Sequence, residues 1–330
     1  MLPKSKKRTF SVGPDMRPLV VLTDFGGLET PIVALEGLQV PHIHAGSSES
    51  DKSMREFIAR NFTPLELLSD AKEPFKTQLK IDLYVAGPEC KNFSSAGLRT
   101  GGLDQFHMCV QRIRRHRPRA LLLENVATLA TRHPEDFEAI LALLREDGFY
   151  NVYFKILNSA KVGYVPQQRL RIYFLGLNKQ YDKGTFHWPT EVRHGGLASI
   201  LTKRTSRLQL QLPPTTQSTA RKNLLAAFGK IMAKGENPFK QQYVLDIDST
   251  KLGMRCNESL CLTKGRGRTG NFYITSEARR FDNCEILRLQ AYAPKRIKSR
   301  RLRAVNSLQL WGTLWLSASL SVSCIASSLP

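Results

Sequence analysis

Three polar clusters in this 330-residue chain carry residue types that could do chemistry, and each follows a short apolar run. The first, Thr23-Asp-Phe-Gly-Gly-Leu-Glu29, is a glycine-containing turn leading into a helix, where backbone could approach a nucleoside cofactor. Two glycines after a strand are as often just a tight turn. The second, Gly87-Pro-Glu-Cys-Lys-Asn-Phe-Ser-Ser-Ala-Gly97, sets Cys90 in a polar Gly/Pro loop. A nucleophilic cysteine would stand in such a place, whereas a structural cysteine is usually embedded in apolar sequence. The third, Glu124-Asn-Val126, puts a carboxylate at the mouth of another apolar run. Cys90 or Glu124 alone could equally be an ordinary loop residue.

Bringing these clusters together requires strands that end near one another. Leu19–Thr23, Ile81–Ala86, Ala120–Leu123 and Arg171–Leu175 read as buried strands, and 31–38 and 51–62 as helices. Phe106, Val110 and Ile113 recur at helical spacing, as do Phe137, Ile140, Leu141 and Leu144, so each set forms one apolar helix face. The expectation is a doubly wound α/β domain over 16–180, a mostly parallel sheet with helices on both faces. Ligands of such a domain sit beyond the carboxyl ends of the strands. Residues 181–275, rich in Gly, Pro, Thr and basic side chains with weak periodicity, read as a small irregular or β-rich recognition domain. Residues 276–305 would return to the first domain, and 1–15 and 306–330 would be tails.

Lys and Arg number 49 against 28 Asp and Glu, a formal net charge of +21. That surplus favours a polyanionic partner, either nucleic acid or an anionic membrane surface. The chargeless end, 306–330, has the length of a membrane span at about 20 residues, but its serines argue against one. The six cysteines lack paired spacing, which points to a reducing compartment with neither a disulfide framework nor a structural metal. The basic start has no apolar stretch behind it, so no secretory leader is expected. Lys4, Lys6, Lys7 and Arg8 fit a solvated tail or a nuclear-import signal.

Taken in order, the clusters resemble the cytosine-5 methyltransferases, which use S-adenosylmethionine to methylate carbon 5 of cytosine in DNA or, in one branch, in tRNA. The resemblance covers about residues 18 to 178 and 258 to 294. Asp24-Phe-Gly-Gly27 is similar to the first cofactor motif, and Glu49-Ser-Asp-Lys52 with Asn61-Phe62 to the second. Asp70 matches an acidic cofactor-contacting position. Gly87-Pro-Glu-Cys90 with Phe93-Ser94 resembles the nucleophile loop, Glu124-Asn-Val126 the carboxylate motif and Gln167-Gln-Arg-Leu-Arg171 the family's Gln-x-Arg-x-Arg. Glu285 through Gln290 resembles the motif after the recognition domain.

The resemblance implies a Rossmann-like S-adenosylmethionine-dependent methyltransferase fold and assigns roles. Cys90 would add to carbon 6 of a flipped-out cytosine, Glu124 would act as the acid at N3, and Arg171 with Arg169 would hold the base O2 and its loop. Phe25, Gly26, Gly27, Glu49, Asp70 and Pro88 would hold S-adenosylmethionine. Ser94 and Gln167 would touch nucleic acid. From its charge, Lys264-Gly-Arg-Gly-Arg268 reads as a phosphate-gripping loop through Lys264, Arg266 and Arg268, or as a merely solvated basic loop. The implied protein is a monomer acting on DNA, without metal or membrane, in the nucleus of a eukaryote or otherwise in the cytoplasm. The alternatives are a tRNA enzyme, to which Cys261-Leu-Thr263 is similar, and an inactive relic or nucleic-acid-binding module.

Several positions depart from the family pattern. Glu89 stands where proline usually precedes the nucleophile, and a neighbouring carboxylate should raise the thiol pKa, with Lys91 a partial counterweight. Glu29-Thr30 replaces further glycines in the cofactor turn, the usual Arg-Gly is missing after Gly102, and Ala291 replaces a glycine. The terminal Gly-Asn-Ala/Ser motif is absent. Trp311-Gly-Thr-Leu-Trp315, encoded TGG GGN ACN, a Leu codon and TGG, would with a CTN leucine read Gly, then Asn among others, then Ala among others, two nucleotides later. The expectation is a frame shift between Pro294 and Leu310.

Overall fold

In the computed structural model, described for residues 17–88, 103–163, 165–203, 209–263 and 271–292, the apolar runs become strands of two separate sheets. The chain divides into two units. One takes in the described residues up to Asn158 together with Leu170–Glu191, and the other takes in Ser159–Arg169 and the described residues from Val192 onward.

The first unit follows the alternation of strand and helix. Its elements are β1 (Leu19–Asp24), α1 (Thr30–Gly37), β2 (His42–Ser48), α2 (Lys52–Asn61), β3 (Leu67–Leu68), β4 (Leu83–Ala86) and α3 (Asp104–His116). They continue through β5 (Ala120–Val126), α4 (Thr128–Arg132), α5 (Pro134–Arg145), β6 (Tyr150–Asn158) and, after the excursion into the other unit, β7 (Leu170–Asn178). The strand order is β3-β2-β1-β4-β5-β7-β6. Every pairing is parallel except those of β7, which runs antiparallel to both neighbours. A sheet covered on both faces needs continuously apolar strands, which is why β1 and most of β5 are buried without alternation.

Strand ends align across this sheet. Ser48 pairs with Asp24, Asp24 with Ala86, and Ala86 with Leu123. The next residue of each strand or loop is therefore Glu49, Phe25, Gly87 or Glu124. β1 also lies between β2 and β4, the point where strand order reverses and where open α/β sheets leave a crevice.

A buried ion pair fixes α3 against that edge. The Asp24 carboxylate accepts hydrogen bonds from Ser48 Oγ at 2.5 Å, Tyr84 Oη at 2.8 Å, and Arg112 Nε and Nη2 at 2.9 and 3.2 Å. Arg112 also donates to the carbonyls of Glu73 and Ala71, and its guanidinium lies 4.3 Å from the Phe75 ring centroid. Gly46 is required beneath this ring, since a Cβ there would sit 2.5 Å from it.

The second unit contains α6 (Ser159–Val162), a 3-10 turn at Leu197–Ser199, α7 (Ser218–Met232), β8 (Tyr243–Asp246), β9 (Gly253–Cys256), β10 (Tyr273–Ile274), β11 (Arg279–Arg280) and α8 (Asn283–Leu289). Its four strands form an antiparallel sheet in the order β11-β10-β8-β9. The expected β-rich character is present, but the 15-residue helix α7 was not expected. Its inward residues Ala220, Leu224, Ala227, Phe228 and Ile231 do keep helical spacing. Outward-facing Leu225 and Met232, both more than half exposed, blur that pattern in the sequence. At α8, Asp282 and Glu285 form a reciprocal capping box, and Glu285 is held by Arg279 through two contacts of 2.7 Å.

No helix among the described residues is long and apolar enough to cross a membrane, and no group of His, Cys, Asp and Glu among them could hold a metal ion.

Removing one partner of a buried ion pair leaves an uncompensated charge, which costs about 3–5 kcal/mol. Arg112→Met is therefore expected to lose about that much stability, a loss that urea denaturation would measure. Loss below about 1 kcal/mol would show that Asp24 does not depend on this pairing.

Candidate functional site

The site is assembled from the aligned strand ends of the first unit. At the end of β1 the chain enters a turn in which Phe25, Gly27 and Glu29 all have left-handed backbone, with φ of 58°, 52° and 50°. Two of the three carry side chains, at a cost of roughly 1 kcal/mol or more each. Gly26 admits no side chain: a Cβ there would overlap Glu29 Oε1 and lie 2.7 Å from Ser47 Oγ. Gly26 N–H donates to the Ser48 carbonyl and Gly27 N–H to Glu49 Oε2, both at 2.9 Å. Glu49 Oε1 accepts from the Asp51 N–H, so one buried carboxylate joins the turn to the N-terminus of α2.

Phe25, Gly26, Gly27 and Glu49, expected to hold the cofactor, are thus brought together by pairing of β1 with β2. Asp70 lies two residues beyond β3, whose Leu68 pairs with Ser48. It is exposed and caps its own loop by accepting from the Lys72 N–H. Pro88 lies just past β4, and its carbonyl accepts from Asn125 Nδ2 at 3.3 Å. A nucleoside-type group fits the turn in that Gly26 leaves its backbone bare, the place of a Cβ being taken from beneath by Glu29 Oε1 and Ser47 Oγ.

Under the turn lies a buried polar cluster that the motif reading passed over. Glu29 is fully buried, and its Oε1 accepts from Thr23 Oγ1 at 3.0 Å and from Ser47 Oγ. Glu29 Oε2 makes no hydrogen bond and faces His44 Nε2 at 3.7 Å. Burial, opposed by the two hydroxyl hydrogen bonds and reinforced by Glu49 and Asp24, pushes the Glu29 carboxyl up to about 7. Burial, with His42 adding to it, pushes His44 down to about 4. Left-handed backbone at Glu29 explains why the family often has glycine at this place. The deviation from the glycine pattern was the available signal.

Glu124 and Arg171 meet across β5 and β7. Glu124 pairs with Tyr173 and Val126 with Arg171, so the two charges are diagonal neighbours on one face of the sheet. Arg171 Nε lies 2.9 Å from Glu124 Oε1, and both side chains are largely buried. On the other side, a Cβ on Gly87 would stand 3.5 Å from Glu124 Oε2, so glycine keeps the approach to this carboxylate clear. Asn125 folds back to its neighbour's amide, donating to Pro88 and accepting from Val126 N–H.

Other expected residues fall elsewhere. Arg169 and Gln167 belong to the second unit, where both are buried. Arg169 Nη1 donates to the Leu262 carbonyl at 3.2 Å and lies 3.6 Å from Cys261 Sγ. Gln167 Nε2 donates to the Leu289 carbonyl, and its backbone forms a bridge with Ser259. Both have structural partners within that unit. Cys90, Ser94, Lys264, Arg266 and Arg268, with Glu89 and the whole terminal segment 293–330, lie outside the described residues. Burial pushes the Cys109 thiol up to about 12, which makes it inert as a nucleophile.

Comparison with known proteins gives the family and the fold. Residues 25–296 match the family model for C-5 cytosine-specific DNA methylase. The chain is 34% identical over 185 residues to the type II methyltransferase M.HpaII of Haemophilus parainfluenzae, covering 53% of this chain and 51% of that protein. It is 28% identical over 287 residues to the orphan methyltransferase M.SPRI of Bacillus phage SPR, covering 79% and 63%. The matched stretch thus spans about half to two thirds of these relatives. Among solved structures, Dnmt2 methyltransferase of S. pombe superposes with a TM-score of 0.63 at 16% identity, covering 94% of this chain and 99% of that one. The methyltransferase EhMeth of Entamoeba histolytica superposes with a TM-score of 0.64 at 12% identity, with the same coverage. At these identities the structures speak to the fold, while the family model covers most of the sequence: the chain belongs to the C-5 cytosine-specific DNA methylase family.

Proposed function

We propose that this protein transfers a methyl group from S-adenosylmethionine to carbon 5 of cytosine in DNA through a covalent adduct with Cys90. The observation that carries this reading is the row of strand ends, where a turn built around Gly26, the start of the Cys90 loop at Gly87 and the Arg171-braced Glu124 stand side by side.

Carbon 5 of cytosine is a weak nucleophile, so the ring must be activated before it can accept a methyl group. The Cys90 thiolate adds to carbon 6, and the displaced electron pair is taken up at N3, where the Glu124 carboxyl supplies the proton. Arg171 holds Oε1 of that carboxyl in place and keeps its other oxygen on the Gly87 side. Bound S-adenosylmethionine supplies an electrophilic methyl group to carbon 5. Loss of the carbon 5 proton to solvent then breaks the bond to Cys90 and restores the thiolate, and N3 returns its proton to Glu124. Phe25 to Gly27 and Glu49 would hold the nucleoside end of the cofactor, with Glu49 suited by charge and position to ribose hydroxyls. The target base must leave the duplex to reach this site. The net charge of +21 suits the phosphate contacts that such binding requires.

Covalent trapping on 5-fluorocytosine-containing duplex DNA, with S-adenosylmethionine present, tests the reading. A trapped complex is expected with the native chain and none with Cys90→Ser, and a tRNA substrate run alongside separates the two nucleic acids. No adduct on either would sink the proposal. Glu124→Gln is expected to slow methyl transfer about a hundredfold or more, which single-turnover kinetics would measure. Gly26→Ala is expected to weaken S-adenosylmethionine binding about tenfold or more, because the added Cβ overlaps Glu29; calorimetric titration would show it.

A further inference from the structure

Glu29 is an expensive residue for its place. It is fully buried, its backbone is left-handed where a glycine would be relaxed, and one of its carboxyl oxygens has no hydrogen-bond partner. It nevertheless occupies the centre of the cofactor turn's support. Oε1 is shared between Thr23 of β1 and Ser47 of β2, the two strands whose ends carry the turn. The same oxygen fills the space directly beneath Gly26. The Glu29 amide donates to the Gly26 carbonyl at 2.8 Å, which closes the turn from both sides.

We propose that Glu29 is a positioning residue: from beneath, it props Phe25–Leu28 between β1 and β2 in the shape that admits the cofactor. This rests on the assignment of that turn to S-adenosylmethionine.

The prop works when the carboxyl is neutral. The ionisable groups around it are Asp24 on β1, His44 on β2 and Glu49 just beyond β2; α1, which begins at Thr30, contributes no acidic or basic residue in its first turn. Asp24 and Glu49 both oppose a charge on Glu29. His44, pushed down to about 4 by burial, is neutral above pH 6 and offers no compensating cation. A neutral Glu29 keeps Oε1 as an acceptor for both hydroxyls and presents the Oε2 proton towards His44 Nε2. An ionised Glu29 leaves a buried charge facing two other carboxylates.

The sign of the pH dependence follows. Glu29 is raised from an ordinary value of 4.5 to about 7. Its support is therefore complete below pH 4.5 and lost as pH rises through about 7. The contribution of His44 has the opposite sign and is lost only as pH falls from 6.5 through about 4. Between pH 6.5 and pH 8 the Glu29 carboxyl ionises while His44 stays neutral.

Two measurements on the full chain test this, comparing the native protein with Glu29→Gln, which keeps an oxygen acceptor but cannot ionise. The first is hydrogen–deuterium exchange of residues 25–30 without cofactor, corrected for intrinsic exchange rates. The second is calorimetric titration with S-adenosylmethionine. At pH 6.5 the two proteins are expected to match within about twofold. At pH 8 the native turn is expected to lose protection and its cofactor affinity to fall about tenfold, while Glu29→Gln holds both. Glu29→Ala is expected to lose protection at both pH values. Equal pH profiles in native protein and Glu29→Gln, or loss of protection in Glu29→Gln at pH 6.5, would overturn the proposal. If the exchange pattern appears as expected but S-adenosylmethionine binds neither protein at any pH, the prop stands and the methyltransferase reading falls.

Discussion

Asp24 ends its strand with a carboxylate enclosed by protein, and everything around the site is arranged to satisfy it. Four hydrogen bonds reach it, from β2, from β4 and twice from Arg112 of α3. A buried carboxylate is tolerable only with such a complement, because its desolvation is costly and the pairing must offset it in fixed geometry. The consequence is positional. Arg112 can serve Asp24 only if α3 lies against the end of β1. The same guanidinium holds two carbonyls of the 71–73 segment beyond β3. One ion pair therefore sets the relation among the turn after β1, the segment after Asp70 and α3.

Around that fixed point the turn after β1 stores local strain. Three left-handed residues in five, a glycine with no room for a methyl group, and a buried carboxyl with an unsatisfied oxygen would each be unfavourable in an ordinary turn. They persist because β1 and β2 over-determine the turn through Thr23, Ser47, Ser48 and Glu49. Residues held in such sparsely populated conformations persist only where the surrounding structure over-determines them. Glu124 shows the opposite economy. Its carboxylate stands at an aligned strand end, braced by Arg171 diagonal to it and cleared by a glycine on the other side.

The second unit is held by different means. Its short strands bury little each, so polar devices supplement the core: the Arg279–Glu285 pair, the capping box at α8 and the buried contacts of Gln167 and Arg169. Motif residues at 167 and 169 are thus engaged with their own unit, while Arg171, two positions on, pairs with Glu124. In an extended chain, alternate residues share a side, but here the boundary between units falls between Arg169 and Leu170 and separates their partners.

The sequence by itself determined the class of sheet, the helices with one apolar face, and the identity and order of the motif clusters, because buried strands and single-faced helices impose local periodicity and reactive loops need particular side chains. β2 escaped that reading because His42 to Ser48 is polar and gains its place only by pairing with β1. Edge strand β6 escaped because its exposed side chains do not alternate cleanly. α7 was hidden by apolar residues on its outer face. Whether the motif residues meet was a question for tertiary structure alone. Strand register decided that Glu49, Phe25, Gly87 and Glu124 share one row, and long-range packing decided that Arg112, 88 positions from Asp24, would be its partner. Glu29 reads as a mere deviation from a glycine motif in sequence. Its burial, its hydroxyl partners on two different strands and its shifted carboxyl exist only once β1 and β2 are paired, because a local sequence encodes residue types while desolvation depends on what the fold encloses.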